Sequence, residues 1–176
     1  MHTLRLALIL CLLTLACRAQ LPGDNGLAGG NQASIKGSFL VSVDDSCTIF
    51  VNGKTVFQCG IGEKRSPALE LKVGDRILVQ LVNTGGPRHF FCLFASADGQ
   101  TVISFKRTDF KIDPDMDVTD FTGLQFQTWP KYAKAQERLK PSTLPVQSNS
   151  DSMWGDLDRC IIAGYVTSSM ISHKVQ

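Results

Sequence analysis

The stretch Phe39-Leu40-Val41-Ser42-Val43-Asp44-Asp45-Ser46-Cys47-Thr48-Ile49-Phe50-Val51-Asn52-Gly53-Lys54-Thr55-Val56-Phe57 decides the fold. It holds three apolar runs separated by two polar breaks, Asp44-Asp45 and Asn52-Gly53. Asn-Gly between apolar runs is a hairpin signal, because a type I′ turn needs positive φ at both central residues. In ideal register Val51 and Lys54 flank that turn, Phe50 faces Thr55, Ile49 faces Val56 and Thr48 faces Phe57. The same register sets Cys47 against Gln58 and Cys59 against Ser46. At Asp44-Asp45, short carboxylates bond nearby backbone and close a corner between two strands.

The pattern continues in both directions. Upstream, Phe39, Val41 and Val43 share one face of a strand. Downstream, Gly60 to Pro67 reads as a polar loop over one end of the sheet. Ala68 to Lys72 forms a short strand, Val73-Gly74-Asp75 turns it, and Arg76 to Asn83 forms a longer one. After the break at Thr84-Gly85-Gly86-Pro87, His89 to Ala95 is apolar on both faces, as a central covered strand requires. Thr101 to Phe105 returns after the Ala97-Asp98-Gly99 turn and ends near Phe110 and Ile112. From Asp113 to Asp158 the pattern loosens. There Lys131 to Leu139 reads as a short helix between Pro130 and Pro141. Cys160 to Val166 supplies a late strand that pairs back into the sheet. The expected fold is all-β: one antiparallel, jelly-roll-like β-sandwich over residues 33–170, with one short helical insertion within about residues 113–158.

The amino terminus bounds the compartment. Met1-His2-Thr3-Leu4-Arg5, an apolar run from Leu6 to Leu15 and small residues at Cys17 and Ala19 fit a secretory signal peptide over residues 1–19. That apolar run is shorter than the roughly 20 residues a membrane span needs. Residues 20–32, rich in Gly and Asn, read as a flexible leader. The whole chain has 18 basic and 16 acidic residues, and the leader peptide takes Arg5 and Arg18 with it and no acid. The remaining charges balance, which argues against nucleic acid or an anionic membrane as partner. Cys47, Cys59, Cys92 and Cys160 remain, an even number in an exported chain. Two disulfides are therefore expected, with three pairings open. A Cys47–Cys59 bridge, with Cys92–Cys160 as the second, requires a bulge or a strand end at Cys59 to bring both sulfurs to one face.

Val43-Asp44-Asp45 through Phe50-Val51-Asn52-Gly53-Lys54, then Leu71-Lys72-Val73-Gly74-Asp75-Arg76-Ile77-Leu78-Val79, then Val82-Asn83-Thr84-Gly85-Gly86, resembles the galactose-binding-like jelly-roll family. Its modules serve as accessory sugar-binding domains of glycosidases and occur in extracellular adhesins. The likeness covers about Phe39 to Ile112, with Phe110 at a position where the family carries a Trp-like residue. It implies a β-sandwich and carbohydrate binding through loops at one end. The long segment from Asp113 to Asp158 departs from the compact family pattern. The motif itself marks backbone turns better than it marks a ligand.

Several residues are candidates for a site. Asp44 and Asp45 offer neighbouring carboxylates for a calcium ion, as in related sandwich adhesins; the same pair also reads as caps of a tight corner. Asp113, Asp115 and Asp117, with Asp109 and Asp120 nearby, look like an EF-hand opening. Val118 and Leu124 occupy the places of its glycine and glutamate, so the match fails and the stretch reads as a solvated acidic loop, with weak surface calcium binding as the alternative. Trp129, Tyr132 and Trp154 have the aromatic faces that stack on sugar rings, and Arg88 and His89 lie where polar contacts to hydroxyls can form; for any single one of them, burial in a core or a turn is the simpler reading. No Gly-x-Ser-x-Gly elbow, His-Glu-x-x-His pair or Cys/His nucleophile context is present, so no enzyme is expected.

These features lead to the expectation of a secreted, extracellular, non-catalytic module that binds carbohydrate or glycoprotein, with calcium as the candidate cofactor. The second expectation, from a different class, is a structural component of an extracellular or mineralised matrix.

Overall fold

Alternation of apolar and polar side chains is what the chain uses to build two facing layers. In the computed structural model, residues 34–113, 148–155 and 157–174 are described. They form eleven strands: β1 Ile35–Asp44, β2 Ser46–Val51, β3 Lys54–Cys59, β4 Gly62–Arg65, β5 Leu69–Leu71, β6 Arg76–Val82, β7 His89–Ser96, β8 Thr101–Ser104, β9 Phe110–Asp113, β10 Arg159–Tyr165 and β11 Ile171–His173. One sheet runs β11-β8-β7-β1-β4, with β5 also paired to β1. The other runs β3-β2-β6-β10-β9. Every pairing is antiparallel. The fold is an all-β sandwich.

Alternate positions of the main strands supply the core between the sheets. Phe39, Val41 and Val43 of β1 face Cys47, Ile49 and Val51 of β2, Ile77, Val79 and Leu81 of β6, and Cys160 and Ile162 of β10. Phe39 packs edge-on against Phe94, with ring centroids 5.2 Å apart. Burying one such aromatic or aliphatic side chain is worth about 1.5–3 kcal/mol, which is why this alternation dictates the layer arrangement. On the opposite face of the first sheet, Leu40, Phe91, Leu93, Ala95 and Val102 form a second buried cluster. Thus β7 is buried on both faces, as its continuous apolar run requires.

The structure amends three local expectations. The first concerns the β2–β3 register: Val51 faces Lys54 and Phe50 faces Thr55, but Ile49 faces Phe57, Thr48 faces Gln58 and Cys47 faces Cys59. Val56 is the extra residue of a β-bulge. The bulge moves Gln58 off the core-facing row and puts Phe57 and Cys59 on it, which hydrophobic burial favours. In the second, part of the polar stretch after Cys59 is not a loop: Gly62–Arg65 pairs with Val43 to Leu40 as an edge strand. In the third, Phe110 and Ile112 do not end β8 but form β9 in the other sheet, beside β10.

The expected signal peptide, flexible leader and helix at 131–139, together with Trp129, Tyr132 and the acidic residues from Asp115 to Asp120, fall outside the described residues. Among the described residues no helix is long and apolar enough to cross a membrane.

Candidate functional site

The strand registers bring three connections to one end of the sandwich. In the first sheet the last pair is Asp44 with His89. In the second, Val82 is flanked by Ser46 and Arg159. The β1–β2 corner, the β6–β7 loop and the start of β10 therefore meet at this end, as rigid strand termini that hold loop side chains in place.

Asp45 lies at the corner, joined to Asp44 by a cis peptide bond. Its Oδ2 accepts hydrogen bonds from the Thr84 amide and from Thr84 Oγ1, the latter at 2.7 Å. The Thr84 amide, and after it the Thr84 hydroxyl, hold the Asp45 carboxyl below the usual carboxylate range. Next to it, Asp158 Oδ1 accepts from Arg88 Nη2 at 2.7 Å, from Arg88 Nε at 3.1 Å and from Asn83 Nδ2 at 3.1 Å. The Arg88 hydrogen bond, followed by that of Asn83, lowers the Asp158 pKa. The pair is open to solvent, with side chains 30% and 62% exposed for Arg88 and Asp158. Asn83, by contrast, is 6% exposed, and its Oδ1 is buried with no hydrogen-bond partner among the described residues. Unpaired buried acceptors are rare in folded proteins.

His89 opens β7. Its Nε2 and Nδ1 are each 3.1 Å from a serine hydroxyl, Ser42 Oγ and Ser152 Oγ respectively. The imidazole thus clasps the segment around Ser152 to the first sheet. The backbone bond from the Met153 amide to the Phe90 carbonyl, at 2.6 Å, lies beside it.

The expected site residues therefore divide. Asp44, Asp45, Arg88 and His89 converge on one end of the sandwich. Trp154 does not join them: it is 2% exposed in the core, and its Nε1 donates to the Leu157 carbonyl at 3.0 Å. Its ring faces serve packing, which corrects the expectation of sugar stacking there. Asn83, Thr84, Ser152 and Asp158 complete the cluster and were not singled out in the sequence. Asn83 and Thr84 stood inside a motif whose glycines explain a turn, and Asp158 lies 70 residues from its Arg88 partner.

A calcium ion wants about 6–8 oxygen ligands. Among the described residues no group of three or more His, Cys, Asp or Glu side chains can hold a metal, and one oxygen of Asp45 is already occupied by Thr84. An ion at Asp44 and Asp45 would draw most of its shell from backbone carbonyls, water or a bound ligand.

Cys47, Cys59, Cys92 and Cys160 are all free thiols in this structure. Cys47 and Cys59 face one another with sulfurs 3.4 Å apart. The Cys92 thiol points instead to the Leu93 carbonyl at 3.8 Å, and Cys160 is fully buried on β10.

Fold and site together define a class: an antiparallel β-sandwich with a hydrogen-bonded polar cluster at one end. No family model, no curated protein and no solved structure matches this chain.

Proposed function

We propose that this chain is a secreted, non-catalytic module that binds carbohydrate or glycoprotein through the loop end carrying Asp44, Asp45, Asn83, Arg88 and Asp158. The observation that carries the reading is the Arg88–Asp158 pair beside the unpartnered Asn83 acceptor. A guanidinium and a carboxylate side by side and open to solvent offer the donors and acceptors that sugar hydroxyls use. The scaffold beneath is rigid strand, so little ordering entropy is lost when a ligand binds. Export and thiol oxidation belong to the same reading.

The test is a glycan array probed with the full chain, with and without chelator. Saturable binding to a defined set of glycans, weakened at least tenfold by Asp45→Ala and by Arg88→Ala, supports the module reading. Loss with chelator adds calcium to the site. Absence of glycan binding together with calcium-dependent self-association favours a structural component of an extracellular matrix.

A further inference from the structure

The β2–β3 bulge has a chemical consequence. It puts Cys47 and Cys59 directly opposite one another, with Sγ atoms 3.4 Å apart. Opposed residues of an antiparallel ladder have Cα atoms about 4.5–5.5 Å apart, within the span of about 4.4–6.8 Å that a disulfide accepts. Forming the bond needs side-chain rotation and no rearrangement of the backbone.

The two thiols are unequal. Cys47 is 2% exposed and faces the core, whereas Cys59 is only partly buried. Cys59 also ends β3, which has no neighbour on its far side among the described residues. The partly exposed Cys59 is thus the thiol of the pair that an external reagent can reach first. The contact between the two sulfurs lowers the Cys59 pKa against the opposing effect of its partial burial, with the Cys47 amide and Lys64 adding to the lowering, and the same contact with burial pushes Cys47 up. A lowered pKa at the exposed sulfur raises its thiolate fraction. Cys92 is pushed well above the ordinary thiol range by burial first, and then by the charge of Cys59. Burial pushes Cys160 up to about 11.

We propose that Cys47 and Cys59 form a thiol–disulfide exchange site entered through Cys59, and that Cys92 and Cys160 remain thiols. The co-reactant is an external disulfide R–S–S–R. The Cys59 thiolate, having released its proton to solvent, attacks one of its sulfurs. The S–S bond breaks, one thiolate leaves and takes a proton, and Cys59 carries the mixed disulfide. Cys47 then loses its proton to solvent and attacks the Cys59 sulfur, displacing the second thiolate. Two protein thiols are oxidised by two electrons, and the external disulfide is reduced to two thiols. The chain thus carries one cross-strand bridge, not two, and this stands whether or not the loop end binds sugar.

The test uses the full chain, reduced, freed of reductant and exposed to oxidised glutathione. After acid quench, denaturation and alkylation, peptide mapping is expected to find Cys47 linked to Cys59, with Cys92 and Cys160 alkylated. A link through Cys92 or Cys160, or alkylation of both Cys47 and Cys59, overturns the proposal. In a second measurement, the native reduced chain meets limiting iodoacetamide; Cys59 is expected to label at least about tenfold faster than Cys47, Cys92 or Cys160. Equal labelling overturns entry through Cys59.

Discussion

Asn52 and Asp75, 23 residues apart, tie the hairpin end of the sandwich together. Asn52 Nδ2 donates to Asp75 Oδ1 at 2.9 Å, and Asn52 Oδ1 accepts the Arg76 amide at 2.9 Å. Asp75 Oδ2 accepts the Lys72 amide at 2.9 Å, so both oxygens of this 5% exposed carboxylate are engaged. Asn52 holds its left-handed backbone, φ 50°, at the turn. The Asn-Gly and Gly-Asp signals thus meet in space and serve the fold. Replacing Asp75 by Ala removes the acceptor of two part-buried hydrogen bonds, those of the Asn52 side chain and the Lys72 amide. The expected cost is about 2–3 kcal/mol, read as a lower urea midpoint at unchanged slope.

The first and second sheets were legible in the sequence because period-2 alternation is local. The β2–β3 register was legible only as far as Phe50 and Thr55. Beyond them, ideal pairing would turn Gln58 toward the core, and that conflict was the signal for a bulge. Gly62–Arg65 carried no such pattern: its strand character comes from pairing with β1 at the sheet edge, where charged side chains stay in water. At the candidate site, Asp45, Arg88 and His89 stood out by residue type. Their partners Thr84, Asp158 and Ser152 lie 39, 70 and 63 residues away, and no local rule joins them.

Gly37 tests how closely β1 and β7 approach. A Cβ at this position would lie 2.1 Å from the Ala95 carbonyl oxygen and 2.8 Å from the Phe94 ring. The first obstacle is backbone, which cannot swing aside as a side chain does. Gly37→Ala is expected to destabilise the sandwich by about 1–3 kcal/mol, measured by chemical denaturation. A neutral result would mean that β1 can slide on β7.

Acid stability reports the polar loop end. Thr84 holds Asp45 below its ordinary pKa, Arg88 does the same for Asp158, and Ser96 for Asp98 in the β7–β8 turn. A pKa depressed in the folded state means that folding favours the ionised carboxylate. That stability is fully present above the unfolded value near 4 and is lost as pH falls through the folded values. The melting temperature is therefore expected to fall on acidification below about pH 4. Asp158→Asn should melt lower than the parent at pH 7 and converge with it in acid. Parallel curves over the whole range would remove Asp158 from the account.

His89 is held on both ring nitrogens, so it tests whether the clasp to Ser152 is structural. His89→Leu keeps bulk and removes both contacts, leaving the Ser42 and Ser152 hydroxyls without this partner. Ser42 is 9% exposed, so its hydroxyl regains little from water. The expected loss is about 1–3 kcal/mol. The local consequence is more specific than the global one. The Met153 amide, bonded to Phe90 at 2.6 Å, and the Asp151 amide, bonded to Phe105 at 2.9 Å, are tied to the strand region by the same segment. Both should exchange with deuterium faster in the variant than the global loss explains, whereas amides of β2 and β6 should follow the global loss alone. Uniform acceleration across all strands would make His89 an ordinary core contact and not a clasp.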